Sequence, residues 1–335
     1  MIPCVSTTGA VVRRREFIAG LGIAAALPLP TRAQKPTLPV IGFLSSRSPG
    51  ESEAVVSAFR QGLSESGYIV GQNVLVDYRW AEGRYERLAA LAAEFIALRV
   101  AVIFAAGGPP AALAAKAATS TIPVVFSATP DPVRLGLVAS LGRPGANVTG
   151  MSTFTADLGA KEVELLKELL PTMKTLAYLV NPTNPSGELE ETSAVAAARA
   201  AGIDVQVLRA STESELENIF EFWPNPDGLI VAGEPFFDSQ RSRIVGLVSR
   251  HSTPAMYSWR ENVLLGGLIS YGSSLTDSYR KAGAYAGRIL SGEKPADLPV
   301  MQPTKFELAI NLKTANSLGI AVSPTLLARA DEVIE

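Results

Sequence analysis

The sequence predicts an α/β fold of two doubly wound parallel-sheet lobes joined by a multi-strand hinge. From Pro39 onward, short β-rich runs alternate with Ala-rich helical runs. Strands alternating with helices of about 10–15 residues imply parallel sheets covered on both faces. The alternation makes two rounds with similar openings. About 300 residues follow the N-terminal leader, which is long for one core and suits two domains.

Residues 1–33 read as an export leader. Arg13-Arg14-Arg15-Glu16-Phe17-Ile18 precedes an apolar run over 19–29 and then Thr31-Arg32-Ala33. That is a basic region, a short apolar region and a small-x-small cleavage site, with cleavage expected near Ala33-Gln34 and a periplasmic location for the mature chain. The run is shorter than the roughly 20 apolar residues of a membrane span. The arginine pair ahead of x-Phe-Ile resembles a twin-arginine signal, although Arg13 stands where Ser or Thr is usual. Gly20-Leu21-Gly22-Ile23-Ala24-Ala25 matches a dinucleotide fingerprint, but no strand precedes it, so the required context is missing. Cys4 is the only cysteine and precedes the apolar run, where a lipidated cysteine would follow it. No direct membrane anchor, disulfide or thiolate chemistry is expected.

In the first round, 40–45, 74–79, 100–105 and 123–127 read as strands. Residues 51–65, 85–98 and 110–118 read as helices, the first stopped by Gly67. A turn-rich connector, Arg143-Pro144-Gly145-Ala146-Asn147-Val148-Thr149-Gly150, leads to a strand over 151–154. The second round has strands at 176–180, 204–208, 228–231 and 255–258. Its helices are at 188–201, 213–220 and 240–250. A glycine-flanked strand in 266–272, a helix over 276–290 and a last strand at 306–311 follow. The expected first lobe is 34–151 with 273–300, and the second is 152–272. Residues 301–335 return across the hinge. Hinged lobes trap a ligand between them.

Charge and composition exclude several classes. The chain carries 30 Lys and Arg against 32 Asp and Glu, and the leader holds four of the bases and one of the acids. The remainder is net acidic, which argues against nucleic acid or an anionic membrane surface as partner. A single histidine, His251, at the end of a helix, excludes a multi-His metal site and argues against a His-based triad. The acids Glu162 and Glu164 with Lys161 and Lys167 read as a solvated helix face. Trp80 and Trp223 read as packing or surface residues.

Several segments together resemble the ABC-transporter substrate-binding family related to tryptophan/tyrosine-type solute receptors. They include Phe126-Ser127-Ala128-Thr129-Pro130-Asp131-Pro132-Val133 and the connector over 143–150. Gln302-Pro303-Thr304-Lys305-Phe306-Glu307-Leu308 and Pro324-Thr325-Leu326-Leu327-Ala328-Arg329-Ala330-Asp331-Glu332 belong to the same likeness. The resemblance implies a type I periplasmic-binding-protein fold, a ligand between lobes and handover to ABC permease membrane subunits. A monomer without a cofactor is expected.

In open parallel sheets, ligands sit beyond the carboxyl ends of the strands. Those ends carry Ser45, Ser46, Gly107, Gly108, Ser127, Thr129 and Asp131 in the first lobe. In the second they carry Asn181, Ser186, Glu234, Phe236 and Tyr257, with Trp259 beyond. Helix starts and hydroxyls there suit a carboxylate. Gly107-Gly108 permits close backbone approach. Asp131 and Glu234 offer partners for an ammonium group or equally cap the following helices. Phe236, Tyr257 and Trp259 offer apolar cover. Together they suggest an amino acid or similar small carboxylate. The alternatives are an exported enzyme or redox protein with a backbone-held cofactor, and a ligand-binding sensor subunit. No G-x-S-x-G, H-E-x-x-H, Walker A or paired cysteines support catalysis.

Overall fold

Strands that read as near-continuous apolar runs are buried on both faces, and that sorts the strands into central and edge positions. The computed structural model describes residues 1, 3, 38–153 and 158–335, the side chains of 128 and 129 excepted. The leader, its arginine pair and Phe154 lie outside the described residues. The first sheet contains β1 (Val40–Ser45), β2 (Leu75–Trp80), β3 (Val102–Ala106), β4 (Val124–Thr129) and β5 (Val148–Ser152). Its order is β2-β1-β3-β4-β5, parallel throughout. Every residue of the central strand β3 is buried and the edge strand β2 has none, whereas β5, at the other edge, is buried throughout, with Met301 bridging Met151 on its outer side. Helices α1 (Glu53–Glu65), α2 (Leu88–Leu98) and α3 (Pro109–Ala118) connect the first four strands.

The second sheet holds β6 (Thr175–Val180), β7 (Asp204–Arg209), β8 (Gly228–Val231), β9 (Ala255–Tyr257), β10 (Ile269–Ser273), β11 (Phe306–Asn311) and β12 (Glu332–Ile334). Its order is β12-β11-β10-β9-β8-β6-β7. Only the β10–β11 pairing is antiparallel. Helices α4 (Leu158–Leu169), α5 (Gly187–Ala200), α6 (Glu213–Glu221), α7 (Pro235–Ser239), α8 (Arg241–Arg250) and α9 (Arg260–Leu264) belong to this half. Then come α10 (Leu275–Leu290), α11 (Leu312–Ser317) and α12 (Pro324–Arg329). No described helix is long and apolar enough to cross a membrane.

Each sheet has an apolar cluster on both faces. Phe43, Phe59, Phe104 and Tyr279 fill one side of the first sheet, with the Phe59 and Phe104 rings stacked at 4.3 Å. Leu44, Phe95, Ile103 and Phe126 fill the other. Tyr178, Ile230 and Leu308 lie in one cluster of the second sheet, and Leu179, Val231 and Tyr257 in the opposite one.

The chain passes between sheets three times: from β5 to α4, from β10 to α10, and from Met301 to β11. Met301 bridges Met151, with Ser152 N donating to Met301 O at 2.8 Å. Helix α10 leaves the second sheet and packs on α1 in the first lobe. These crossings form a hinge with the carboxyl ends of both sets of parallel strands directed toward the interlobe space.

Some expected boundaries move. β5 begins at Val148 within the turn-rich connector, because Val148 and Thr149 pair with Val124 and Val125. Residues 235–239 form a helix of their own, capped by Glu234, whose carboxylate accepts from Phe237 N, with Pro235 at its first turn.

Candidate ligand-binding cleft

The first-lobe wall is built at the ends of β1 and β3. Ser46 N donates to Ala106 O at 3.2 Å, and the Ser45 hydroxyl accepts from Arg47 N at 3.1 Å. These bonds turn the chain after β1 and hold Arg47 in the interior, 3% exposed. Gly107 and Gly108 follow with φ of +81° and +85°. A Cβ on Gly107 would stand 3.2 Å from Arg47 Cγ, so the glycine lets that side chain lie against the backbone. Gly108 N donates to Ser127 O at 3.3 Å, fixing the start of α3 beside β4.

The second-lobe wall is polar and closely bonded. Glu234 Oε2 accepts from Asn181 Nδ2 at 3.0 Å, and Oε1 accepts from Phe237 N at 2.6 Å. Asn181 Oδ1 in turn accepts from the Thr183 hydroxyl at 2.8 Å. The Ser186 hydroxyl reaches Asn184 Oδ1 at 3.0 Å and Glu190 Oε1 at 3.2 Å.

Two contacts join the walls. Arg47 pairs with Asp238 at 2.6 Å, both side chains being nearly inaccessible to solvent. Burial disfavours the Arg47 charge, but Asp238, together with Tyr279, Glu261 and Tyr85, more than offsets it and holds the guanidinium pKa above its ordinary value. The Tyr85 hydroxyl donates to Glu234 Oε2 at 2.5 Å and accepts from Phe236 N at 3.1 Å. Burial pushes Glu234 up to about 7 despite the hydrogen bonds that favour its ionised form. Burial and the neighbouring Glu234 raise the Tyr85 phenol well above its ordinary value.

Between these contacts is an inner cavity of about 10 Å³, lined by Arg47, Gly107, Gly108, Thr153, Glu234 and Trp259 among others. An outer groove of about 890 Å³ opens between Ser48, Gly83 and Tyr85 on one side and Thr183, Thr212 and Phe236 on the other. A second chamber of about 20 Å³ meets the inner cavity at Glu190, Gly233 and Trp259 and runs beneath it to Glu162. Arg47 Nε, Thr153 Oγ1 and Trp259 Nε1 are buried without a hydrogen-bond partner among the described residues, and so is the Ser46 hydroxyl beside Gly107. Buried polar atoms are nearly always paired, so four such atoms in one region require an explanation.

Of the residues expected at the cleft, Gly107, Gly108, Ser186 and Glu234 line the inner cavity. Ser45, Ser46, Ser127 and Asn181 are buried immediately behind it. The Thr129 side chain lies outside the described residues. Three others do not line the inner cavity, although Phe236 borders the outer groove. Asp131 is exposed at φ +32° and accepts from Arg134 N at 3.0 Å, so its carboxylate closes its own loop. Tyr257 packs in the core under Gly267, whose Cβ would come within 2.7 Å of the ring. Phe236 and Phe237 are helical rather than extended, and both are buried in the second-lobe core. The Phe236 ring also lies against Gly83 of the first lobe.

Glu162 corrects the sequence reading most sharply. Glu164 is exposed and paired with Lys161 at 2.6 Å, as a solvated face requires, but Glu162 is 4% exposed. Its Oε1 accepts from the Ser258 hydroxyl at 2.9 Å, and burial raises its pKa to about 8. The signal was its register, since Leu158, Val163, Leu165, Leu166 and Leu169 occupy the same buried side of α4. Arg47 and Thr153 also escaped the reading. Each lies just past a strand end, where only the folded chain reveals which way it turns.

Two hinged α/β lobes with a polar cleft beyond their strand ends are the architecture of the type I periplasmic binding proteins. The chain belongs to the ABC transporter substrate binding protein family, whose model matches residues 40–334. It is 29% identical over 263 residues to a tyrosine-binding protein of Clostridioides difficile strain R20291, covering 78% of this chain and 75% of that one. The fold is similar to an ABC domain from Streptococcus pneumoniae crystallised with L-Trp, at TM-score 0.82 and 27% identity over 89% of this chain and all of that one. It is also similar to a ligand-free, open substrate-binding protein with adhesive properties from Clostridium difficile. That match has TM-score 0.62 at 26% identity, over 89% of this chain and 99% of the other.

Proposed function

We propose that this protein is the exported solute-binding component of an ABC importer and that it holds an amino acid between its lobes. One observation carries the reading. Arg47, Thr153 and Trp259 line a buried interlobe cavity while Nε, Oγ1 and Nε1 lack partners among the described residues. A zwitterion with its own donors and acceptors satisfies such a set, and the glycine pair at the start of α3 suits its carboxylate. The relatives named for tyrosine and solved with L-Trp support an amino acid as the solute class. The cavity in this arrangement is too small for an amino acid, so occupancy as well as admission requires the lobes to stand further apart than here, and release to a permease extends that movement. The export leader read at 1–33 supports delivery to the periplasm.

A thermal-shift screen of the twenty L-amino acids, followed by calorimetry, tests this. At a hundredfold excess over Kd, a ligand adds about 2.7 kcal/mol of stability. Arg47→Ala and Thr153→Val are expected to weaken its affinity at least tenfold. Unchanged affinity in both variants, or chemical turnover of the bound compound, overturns the reading.

A further inference from the structure

The chamber beneath the cleft has features that general amino-acid binding does not require. Its walls include Glu162, Tyr178, Glu190, Ser258 and Trp259, and no basic side chain lines it among the described residues. Glu162 interrupts an otherwise apolar buried side of α4, where a leucine would pack without desolvating a carboxyl group. The Ser258 hydroxyl donates to its Oε1, which leaves further hydrogen-bonding capacity on the carboxyl. A second group lies at the chamber's mouth. Trp259 is 6% exposed with Nε1 unpartnered, and its Cε2 would be 3.3 Å from a Cβ on Gly233, which lines both cavities. The volume of about 20 Å³ is that of one or two water-sized groups and excludes a ring.

We propose that this chamber is the specificity subsite for the far end of the ligand, and that it takes an uncharged hydroxyl or amide, read by Glu162 and the Trp259 indole N–H. The inference rests on the cleft reading above. Burial keeps Glu162 protonated at neutral pH, so it can donate one hydrogen bond and accept another. A hydroxyl or amide complements that pair and the indole donor together. A carboxylate would lose its hydration in a chamber that no basic side chain lines among the described residues, a cost that a neutral hydroxyl or amide does not incur, so it is rejected. An ammonium would displace the Glu162 proton, whereas a hydroxyl or amide binds with no change in protonation.

Calorimetry with L-tyrosine and L-phenylalanine, and with L-glutamine and L-glutamate, tests the subsite in wild type, Glu162→Gln and Glu162→Leu. In the pair that binds, the wild type is expected to favour tyrosine over phenylalanine, or glutamine over glutamate, by at least tenfold. Glu162→Gln keeps that preference. Glu162→Leu, shown by its melting curve to be folded, reduces it below threefold. Titration in buffers of different ionisation enthalpy should show no proton release. A preference unchanged in Glu162→Leu, a preference for glutamate, or release of about one proton overturns the subsite. Failure of all four compounds also overturns it. The twenty-amino-acid screen and the Arg47 variant then decide separately whether the cleft reading stands.

Discussion

At the scale of single residues, Glu162 gives the molecule a pH dependence that its surface charges do not. Its folded pKa of about 8 compares with an ordinary 4.5. Between those values the unfolded chain has lost a proton that the folded chain keeps. Rising pH therefore favours unfolding across that window, and the loss is complete above about 8. Glu234, raised to about 7, acts in the same direction over a narrower range. Glu162→Gln removes the larger contribution while leaving Glu234 in place. Denaturant unfolding at pH 5 and pH 8 should then show the wild type losing on the order of 3 kcal/mol more than the variant. Equal losses in the two proteins would mean that Glu162 titrates normally and is hydrated. The residue was misread from sequence because Glu162 and Glu164 share a polar-looking stretch, and two positions along a helix turn side chains about 200° apart. Asp131, which the sequence left between ligand contact and capping, takes the second role, its carboxylate accepting from Arg134 N within its own turn.

Elements were legible in proportion to their length and burial. The central strands announced themselves as apolar runs, and α1 and α10 as long stripes of buried residues. The five- and six-residue helices α7, α9, α11 and α12 span fewer than two turns, so no periodicity could build up. The hinge packing was equally hidden, because it depends on glycines that read as neutral in a helix. A Cβ on Gly283 of α10 would fall 2.1 Å from Phe59 O, and one on Gly62 of α1 would fall 1.8 Å from Arg280 O. These two helices approach at backbone contact and join the segment after β10 to the first lobe. Gly283→Ala is expected to cost about 1–3 kcal/mol through overpacking. Gly246→Ala in α8 meets nothing within 4 Å and should add up to about 1 kcal/mol of helix stability. Melting curves of the two variants check the contrast, and a neutral Gly283→Ala would show that the helices can separate at no cost.

For the whole molecule, the lobe contacts define a balance between closed and open forms. In the closed arrangement, Arg47 and Asp238 neutralise one another out of reach of water. Asp238 also pairs with the buried Arg241 of its own lobe at 3.4 Å, so removing the anion leaves two guanidinium groups uncompensated, a cost of about 3–5 kcal/mol or more, of which parting of the lobes relieves the Arg47 share by hydrating it. Parting breaks the Tyr85–Glu234 bond but lets water satisfy both groups. Asp238→Asn is therefore expected to populate the open form, because opening avoids the Arg47 share of that cost. Apparent ligand affinity then falls by the fraction of molecules still closed, since only the closed form completes the cleft. Tyr85→Phe removes two interlobe hydrogen bonds, the one to Glu234 and the one from Phe236 N, without stranding a charge, so its shift should be smaller and of the same sign. Small-angle scattering of the ligand-free protein reads the balance directly. The radius of gyration should rise in the order wild type, Tyr85→Phe, Asp238→Asn, and a ligand should draw the variants back toward the wild-type value. A profile for Asp238→Asn identical to wild type would show that other contacts hold the lobes together. The Arg47–Asp238 pair would then be structural rather than a latch.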